Sequence, residues 1–245
     1  MRRTSGRAGR RPGRLLWRLV RLVAGLLVAG ALLIGAGWAV TPSVDTAPSL
    51  VTAMLRAHSA PALAGALPSR VAQALVATEN SRFYSDPGVD PIAVLRAPVG
   101  VLSGTDPGGA TLEQQLAKNL YEHGSQSLTA RAAEAVLALK LDRAWSKPEI
   151  LRMYVDDGYY GHGFYGLTAA SEGYFGVRPA ALSWSQASLL AGLFQAPSAY
   201  DPLVHPQAAR ARQLHVLDRL VAVGSLTRTQ ADAVRAQPWA LRRAS

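Results

Sequence analysis

The chain has 245 residues, 49% of them hydrophobic, and a formal net charge of +10, enough for one globular domain with a real core and a short appendage. Eight arginines and no acidic residue lie in positions 1–21, which leaves about +2 for everything after them, so the charge describes a tail and argues against a nucleic-acid-binding face. No cysteine is present, excluding disulfides, a thiolate nucleophile and zinc–thiolate sites.

The basic tail runs straight into Leu22–Val40, 19 residues without a charged side chain. At about 1.5 Å per residue this run matches the hydrocarbon thickness of a bilayer. Trp17 and Trp38 stand near its ends, where amphipathic rings favour the interface, and Arg14, Arg18 and Arg21 flank its N-terminal side. The positive-inside rule then keeps the N-terminus cytoplasmic and sends the remainder to the outer face. A cleavable signal peptide is the rival. The run is long for a signal core and its Gly-Trp-Ala-Val exit is a poor cleavage site, so an uncleaved anchor is the preferred reading.

Residues 41–60, with Pro42, Pro48 and scattered Ser and Thr, read as a linker, and 61–240 as the globular domain. Ser69 is positioned to cap a helix with Val71, Ala74, Leu75 and Thr78 on one face, ending near Glu79. Pro91 to Leu102 is apolar and broken by prolines. It suits core, or better a segment resting in the membrane interface with Arg96 near lipid phosphates. Gly108-Gly109 then opens a helix carrying Gln114, Gln115 and Lys118, the lysine four and three residues after the glutamines, on neighbouring helix faces. Amide donors and one cation suit a polyanionic, hydroxyl-rich ligand, although a solvated amphipathic helix shares the pattern. Thr129 is read as the start of a helix through Glu134 to Trp145. Three capping boxes (Ser146 with Glu149, Ser183 with Gln186, Thr227 with Gln230) each open an apolar-periodic segment. No sustained period-two alternation occurs, so the domain is expected to be all-α.

Two carboxylates stand out. Glu79 ends an apolar helix beside Phe83, where desolvation would raise its pKa toward that of a general base, although most helix-terminal glutamates are ordinary. Glu134 follows Arg131 by three residues on a predicted helix face, a spacing that a surface ion pair would share. The five histidines show no paired metal-ligand spacing.

Taken together, the motifs resemble the peptidoglycan glycosyltransferases of family 51, found as single-domain enzymes and as the N-terminal half of bifunctional penicillin-binding proteins. The first motif is Glu79-Asn80-Ser81-Arg82-Phe83 with Asp86 and Gly88. The second, Gln114-Gln115-Leu116-Ala117-Lys118-Asn119, is unchanged, and the third is Arg131 with Glu134. The fourth runs from Ser146 to Tyr154 and on through Tyr160-Gly161-His162-Gly163, and the fifth from Leu189 to Pro202. The resemblance spans about Val71 to Val234. It implies a lysozyme-like helical glycosyltransferase domain with a small membrane-interface subdomain, preceded by one transmembrane helix. It further implies Glu79 and Glu134 as catalytic residues, with Arg96, Gln114, Gln115, Lys118, Asn119 and Arg131 binding substrate. The expected reaction polymerises lipid II into glycan strands with inversion and release of undecaprenyl diphosphate, outside the cytoplasmic membrane. No cofactor is required, though a divalent cation (Mg or Mn) at the diphosphate is compatible. The expected partners are lipid II, the growing glycan, the cytoplasmic membrane and other wall-building proteins, not nucleic acid.

The sequence departs from the family at several points. Asn80 replaces an aspartate, Asp86 a histidine and Asp156 an asparagine. Ala110 and Glu113 replace a serine and a threonine, and Gln126 and Ala130 stand where the family has arginines. Two diphosphate cations are thus expected to be missing, with Glu113 adding an anion nearby. A working but divergent enzyme is preferred, and a non-catalytic protein that binds lipid II or glycan and recruits wall-building proteins is the alternative. A lysozyme-like hydrolase gives no reason for the lipid-interface segment. No Ser-x-x-Lys, Ser-x-Asn or Lys-Thr-Gly motif occurs, so a transpeptidase half is not expected in this chain.

Overall fold

The structure, a computed structural model, describes residues 12–90, 110–122 and 127–242. The chain divides after Thr41 into two units. The first is one helix, α1 (Pro12–Val40), in which Leu16–Val40 forms a stretch of 25 residues long and apolar enough to cross a membrane. A signal sequence meets the same test. The helix begins before the uncharged run because Pro12 fits a first helical position and arginine is a good helix former.

The second unit is all-α. Its elements are α2 (Ala47–Ala57), α3 (Ser69–Glu79), α4 (Leu112–Ala117), a π-helical turn (Lys118–Glu122), α5 (Leu128–Ala144), α6 (Lys147–Asp157), α7 (Gly166–Phe175), a 3₁₀ turn (Pro179–Ala181), α8 (Trp184–Leu193), α9 (Pro206–Ala222) and α10 (Arg228–Ala236). Among the described residues there is no strand, only an isolated bridge between Tyr159 and Tyr165.

Helix α8 is the axis of the core. Every residue from Ser185 to Leu193 is buried, so the helix has no solvent face. Ala187, Ser188, Ala191 and Gly192 keep its surface low and let α3 and α9 pack closely against it. The polar residues it buries are paired: Gln213 Nε2 donates to Ser185 O at 2.7 Å and Ser188 Oγ at 3.0 Å, and Trp239 Nε1 donates to Gln213 Oε1 at 2.8 Å. This satisfaction is what permits an amide inside an apolar core. Packed on α8, α3 carries Glu79 at its C-terminal end. A second layer of α4, α5 and α6 is joined to the segment that follows α3 (80–90) through Thr111, whose hydroxyl donates to Gly88 O at 2.6 Å. Gly88 has φ +80°, and a Cβ there would sit 2.6 Å from Ala138 O, so glycine is required.

The three expected capping boxes are present, and a fourth joins Thr111 and Gln114 at the start of α4. Several boundaries differ from the sequence reading. Ser69 is the first residue of α3, with extended Pro68 at the cap. Ser127, not Thr129, caps α5, its hydroxyl accepting from Ala130 N at 3.1 Å. The 41–60 stretch is not a linker throughout. It contains α2, whose Ala47, Val51 and Leu55 are buried in the core. Pro48 lies in the first turn of α2, where a missing N–H does no harm, so a residue read as a linker signal marks a helix start. Just ahead, Lys140 Nζ donates to Pro42 O at 3.0 Å and Trp145 Nε1 to Val44 O at 3.1 Å. The proposed interfacial segment Pro91–Leu102, with Arg96, and the glycine pair Gly108-Gly109 lie outside the described residues.

Candidate active site

Glu79 is the last residue of α3, and its side chain is 14% exposed. Its surroundings come from three other elements. Arg212 Nη2 from α9 stands 3.6 Å from Oε1, and Gln115 Nε2 from α4 donates to Oε2 over a long 3.5 Å. From α6, Tyr154 Oη donates to Gln115 Oε1 at 2.8 Å. Burial raises the Glu79 pKa above the ordinary carboxylate value, and Arg212 and then Gln115 pull it back only part of the way. Glu79 also belongs to the last turn of α3, the negative end of the helix dipole. There Arg219 Nε, seven residues along α9 from Arg212, donates to Ala77 O at 3.1 Å. Glu79 is therefore a desolvated carboxylate with a raised proton affinity and fixed neighbours, the character a general base needs.

The glutamine–lysine segment does not present all its side chains alike. Gln114 closes the capping box: its Oε1 accepts from Thr111 N at 3.1 Å and its own N–H reaches the Thr111 hydroxyl. Gln115 points toward Glu79. After Ala117 the backbone widens into the π turn, which carries Lys118 and Asn119; such turns recur at functional sites. Lys118 is half-buried and Asn119 exposed. Asn119 Nδ2 donates to Asp157 Oδ2 at 2.8 Å, and burial raises the Asp157 pKa against that bond.

Glu134 lies on α5 and is partly exposed. Desolvation raises its pKa, Lys118 and Arg131 lower it, and Glu122 raises it. The structure thus brings Lys118, Glu122, Arg131 and Glu134 into one electrostatic group around the π turn and the start of α5. Arg131 is exposed, and among the described residues neither it nor Lys118 has a carboxylate within ion-pair distance. No group of three or more His, Asp or Glu side chains among the described residues is arranged to hold a metal ion.

Residues 50–221 match the family model described as Transglycosylase. The chain belongs to the transglycosylase family. It is 34% identical over 230 residues to a Cupriavidus necator protein whose name assigns it provisionally to the transglycosylases, covering 93% of this chain and 99% of that one. It is 38% identical over 179 residues to penicillin-binding protein 1A of Aquifex aeolicus, covering 72% of this chain but 25% of that protein. A solved structure of penicillin-binding protein 1A from Haemophilus influenzae matches at 30% identity and a TM-score of 0.38, over 41% of this chain and 15% of that one. The chain thus spans nearly the whole of the first relative and about a quarter of the second.

Within this transglycosylase domain several departures from the family pattern acquire a structural reason. Glu113 does not face the glutamine–lysine surface as an extra anion, as its sequence position suggested. It is fully buried and turned inward, paired with Lys147 Nζ at 2.6 Å. The same Nζ reaches Asp142 Oδ1 at 2.6 Å and Asp86 O at 2.7 Å, so the lysine ties the starts of α4 and α6 to the first motif. Asp86 is buried beside Arg82, which also pairs with Asp90. Asp156 accepts the Leu63 N–H, while Arg152 donates to Leu63 O and Gly65 O. Ala130, expected from the resemblance to replace an arginine, is buried in the first turn of α5; Gln126 lies outside the described residues.

Arg212, Tyr154 and Asp157 are the neighbours the sequence reading did not single out as site residues. Arg212 sits in the arginine-rich, periodic sequence of α9, where one cation among several carried no distinguishing mark. A seven-residue spacing to Arg219 on one helix face was the available signal.

Proposed function

We propose that the protein is a membrane-anchored peptidoglycan glycosyltransferase that polymerises lipid II. The observation that carries this reading is Glu79: a desolvated carboxylate at the end of a core helix, flanked by Arg212 and Gln115, inside a domain of the transglycosylase family. Glu79 takes the proton from the acceptor sugar's 4-hydroxyl. The oxygen attacks C1 of the lipid-linked donor from the face opposite the leaving group, forming the new C–O bond with inversion. The bond from C1 to the diphosphate oxygen breaks, and undecaprenyl diphosphate leaves with that electron pair. Lys118 and Arg131, near Glu134 but outside ion-pair distance of any carboxylate among the described residues, stabilise the departing charge. Glu134 orients those cations. Arg96 and Asn119 are assigned to substrate on the same resemblance. The apolar helix α1 holds the domain at the membrane where the lipid-linked donor resides.

The test is polymerisation of labelled lipid II by the full-length protein and by Glu79→Gln. The amide keeps the shape but cannot take the proton, so turnover should fall by about 10²–10⁴-fold with lipid II binding retained. Near-parent polymerisation by Glu79→Gln would overturn the mechanism. One observation favours a second reading, a non-catalytic lipid II-binding recruitment protein: the buried Ala130 supplies no cation where the family has one. Lipid II binding without any turnover in the parent would select it.

A further inference from the structure

Gln115 is held at both ends of its amide. Its Nε2 faces two acceptors, Glu79 Oε2 at 3.5 Å and Ala110 O at 3.4 Å, while its Oε1 takes the Tyr154 hydroxyl at 2.8 Å. Two acceptors on one side and a donor on the other fix which way the amide points. Tyr154 is buried, with its ring stacked on Phe194 at a centroid distance of 4.8 Å, so its hydroxyl has one place to be. From this geometry we infer that Tyr154 is a positioning residue for the base, acting through Gln115 to keep an N–H, not a carbonyl, against Glu79.

Two consequences follow. Burial, with Glu79 and Asp157 nearby, pushes the Tyr154 hydroxyl well above its ordinary pKa, so it stays a proton donor at every pH the enzyme meets. A released amide, in contrast, is free to turn its oxygen toward the carboxylate, which disfavours the ionised base. Gln115 thereby belongs to the base rather than to substrate alone. The groups facing Glu79 are Arg212 from α9 and Tyr154 from α6, and Arg212 is left intact in the variants below.

The proposal rests on Glu79 being the base, and the experiment separates the two. The chain has only six glutamates, so the Glu79 carboxyl is titrated by carbon-13 NMR in the full-length protein in detergent micelles, assigned by its absence in Glu79→Gln. Tyr154→Phe, which keeps the ring and its stacking, and Gln115→Met, which keeps the chain length, should each move the Glu79 midpoint upward. The double variant should move it no further than Gln115→Met alone, because the hydroxyl has nothing left to act through. The acid limb of lipid II polymerisation should move in the same direction, with kcat on that limb down about three- to tenfold and, in Tyr154→Phe, KM little changed. An unchanged Glu79 midpoint in folded Tyr154→Phe overturns the proposal, as do additive shifts in the double variant. Should Tyr154→Phe not fold, an unchanged midpoint in Gln115→Met overturns it equally. Midpoints that shift as expected in a protein without polymerase activity would leave the relay standing and remove the glycosyltransferase reading.

Discussion

The Glu79 end of the site and the π-turn end are built on opposite principles. Glu79 lies among four helices, and each of its neighbours is fixed in turn: Gln115 by Tyr154, Arg212 by its Nε bond to Gly192 O at 3.2 Å. Lys118 and Arg131, by contrast, stand partly or fully in solvent without a carboxylate partner among the described residues. A base has to be held in place and tuned before substrate arrives, and low-dielectric surroundings with fixed dipoles do both. Under the proposed mechanism, cations that receive a diphosphate must not be locked in close ion pairs before it binds. One end is finished by the protein; in the proposed mechanism the other is finished by the ligand.

If that contrast is right, Lys118→Ala gives the largest effect on the open side. It should cost roughly 10- to 150-fold in polymerisation, from the loss of one charge-assisted contact worth about 1.5–3 kcal/mol. Stability should move by no more than about 0.5 kcal/mol, because no protein contact of comparable strength is lost. Lipid II turnover and a denaturant melt on the same protein check both halves. A clear loss of stability would show that Lys118 is a structural ion.

Ala130→Arg probes whether the missing cation can be put back. The side chain at 130 is buried beneath the first turn of α5, so an arginine there must shift its neighbours and also faces the positive end of the helix dipole. The expected outcome is a destabilisation of about 1–3 kcal/mol in a denaturant melt and no gain in polymerisation. A gain in rate at unchanged stability would mean that the α5 start opens when the substrate binds.

Arg212→Gln acts on the closed side and should be milder. The guanidinium lowers the Glu79 pKa, so its removal raises that pKa further, and the acid limb of the pH–rate profile moves to higher pH. Activity well above the limb should be largely retained. A uniform loss at every pH would place Arg212 on the substrate instead.

The two ends were not equally legible in the sequence. The glutamine–lysine segment, Glu79 and the capping boxes carry local patterns, and their helices follow from short-range rules. Gln115 reaching back to Glu79 from 36 residues away follows from α4 packing on α5 and α6, and Arg212 arrives from a helix much later in the chain that packs with α3 on α8; no local period encodes either. The inward turn of Glu113 is of the same kind. At its position directly before Gln114 and Gln115 a carboxylate looks exposed, and only the Lys147 ammonium arriving from the start of α6 makes its burial tolerable. The linker expectation for 41–60 differs from the structure for a local reason: Pro48 carries the composition of a breaker but occupies a helix's first turn.

The smallest effect is also the most direct statement about the closed end. Because the folded Glu79 pKa lies above its unfolded value near 4.5, the native state binds more protons than the unfolded chain between those two values. Stability contributed by this group is therefore present below the unfolded pKa and lost as pH rises through the folded one. Glu79→Gln is neutral throughout, so it should match the parent at the acid end and become the more stable of the two as pH rises across that window. Glu113, whose pKa is also raised by burial, is present in both proteins and cancels from the difference. Parallel denaturant melts from acid to neutral pH read that difference directly. A variant less stable than the parent at neutral pH would mean that the fold gains from the ionised carboxylate, and Glu79 would then be a structural partner of Arg212 rather than a base kept at a cost to stability.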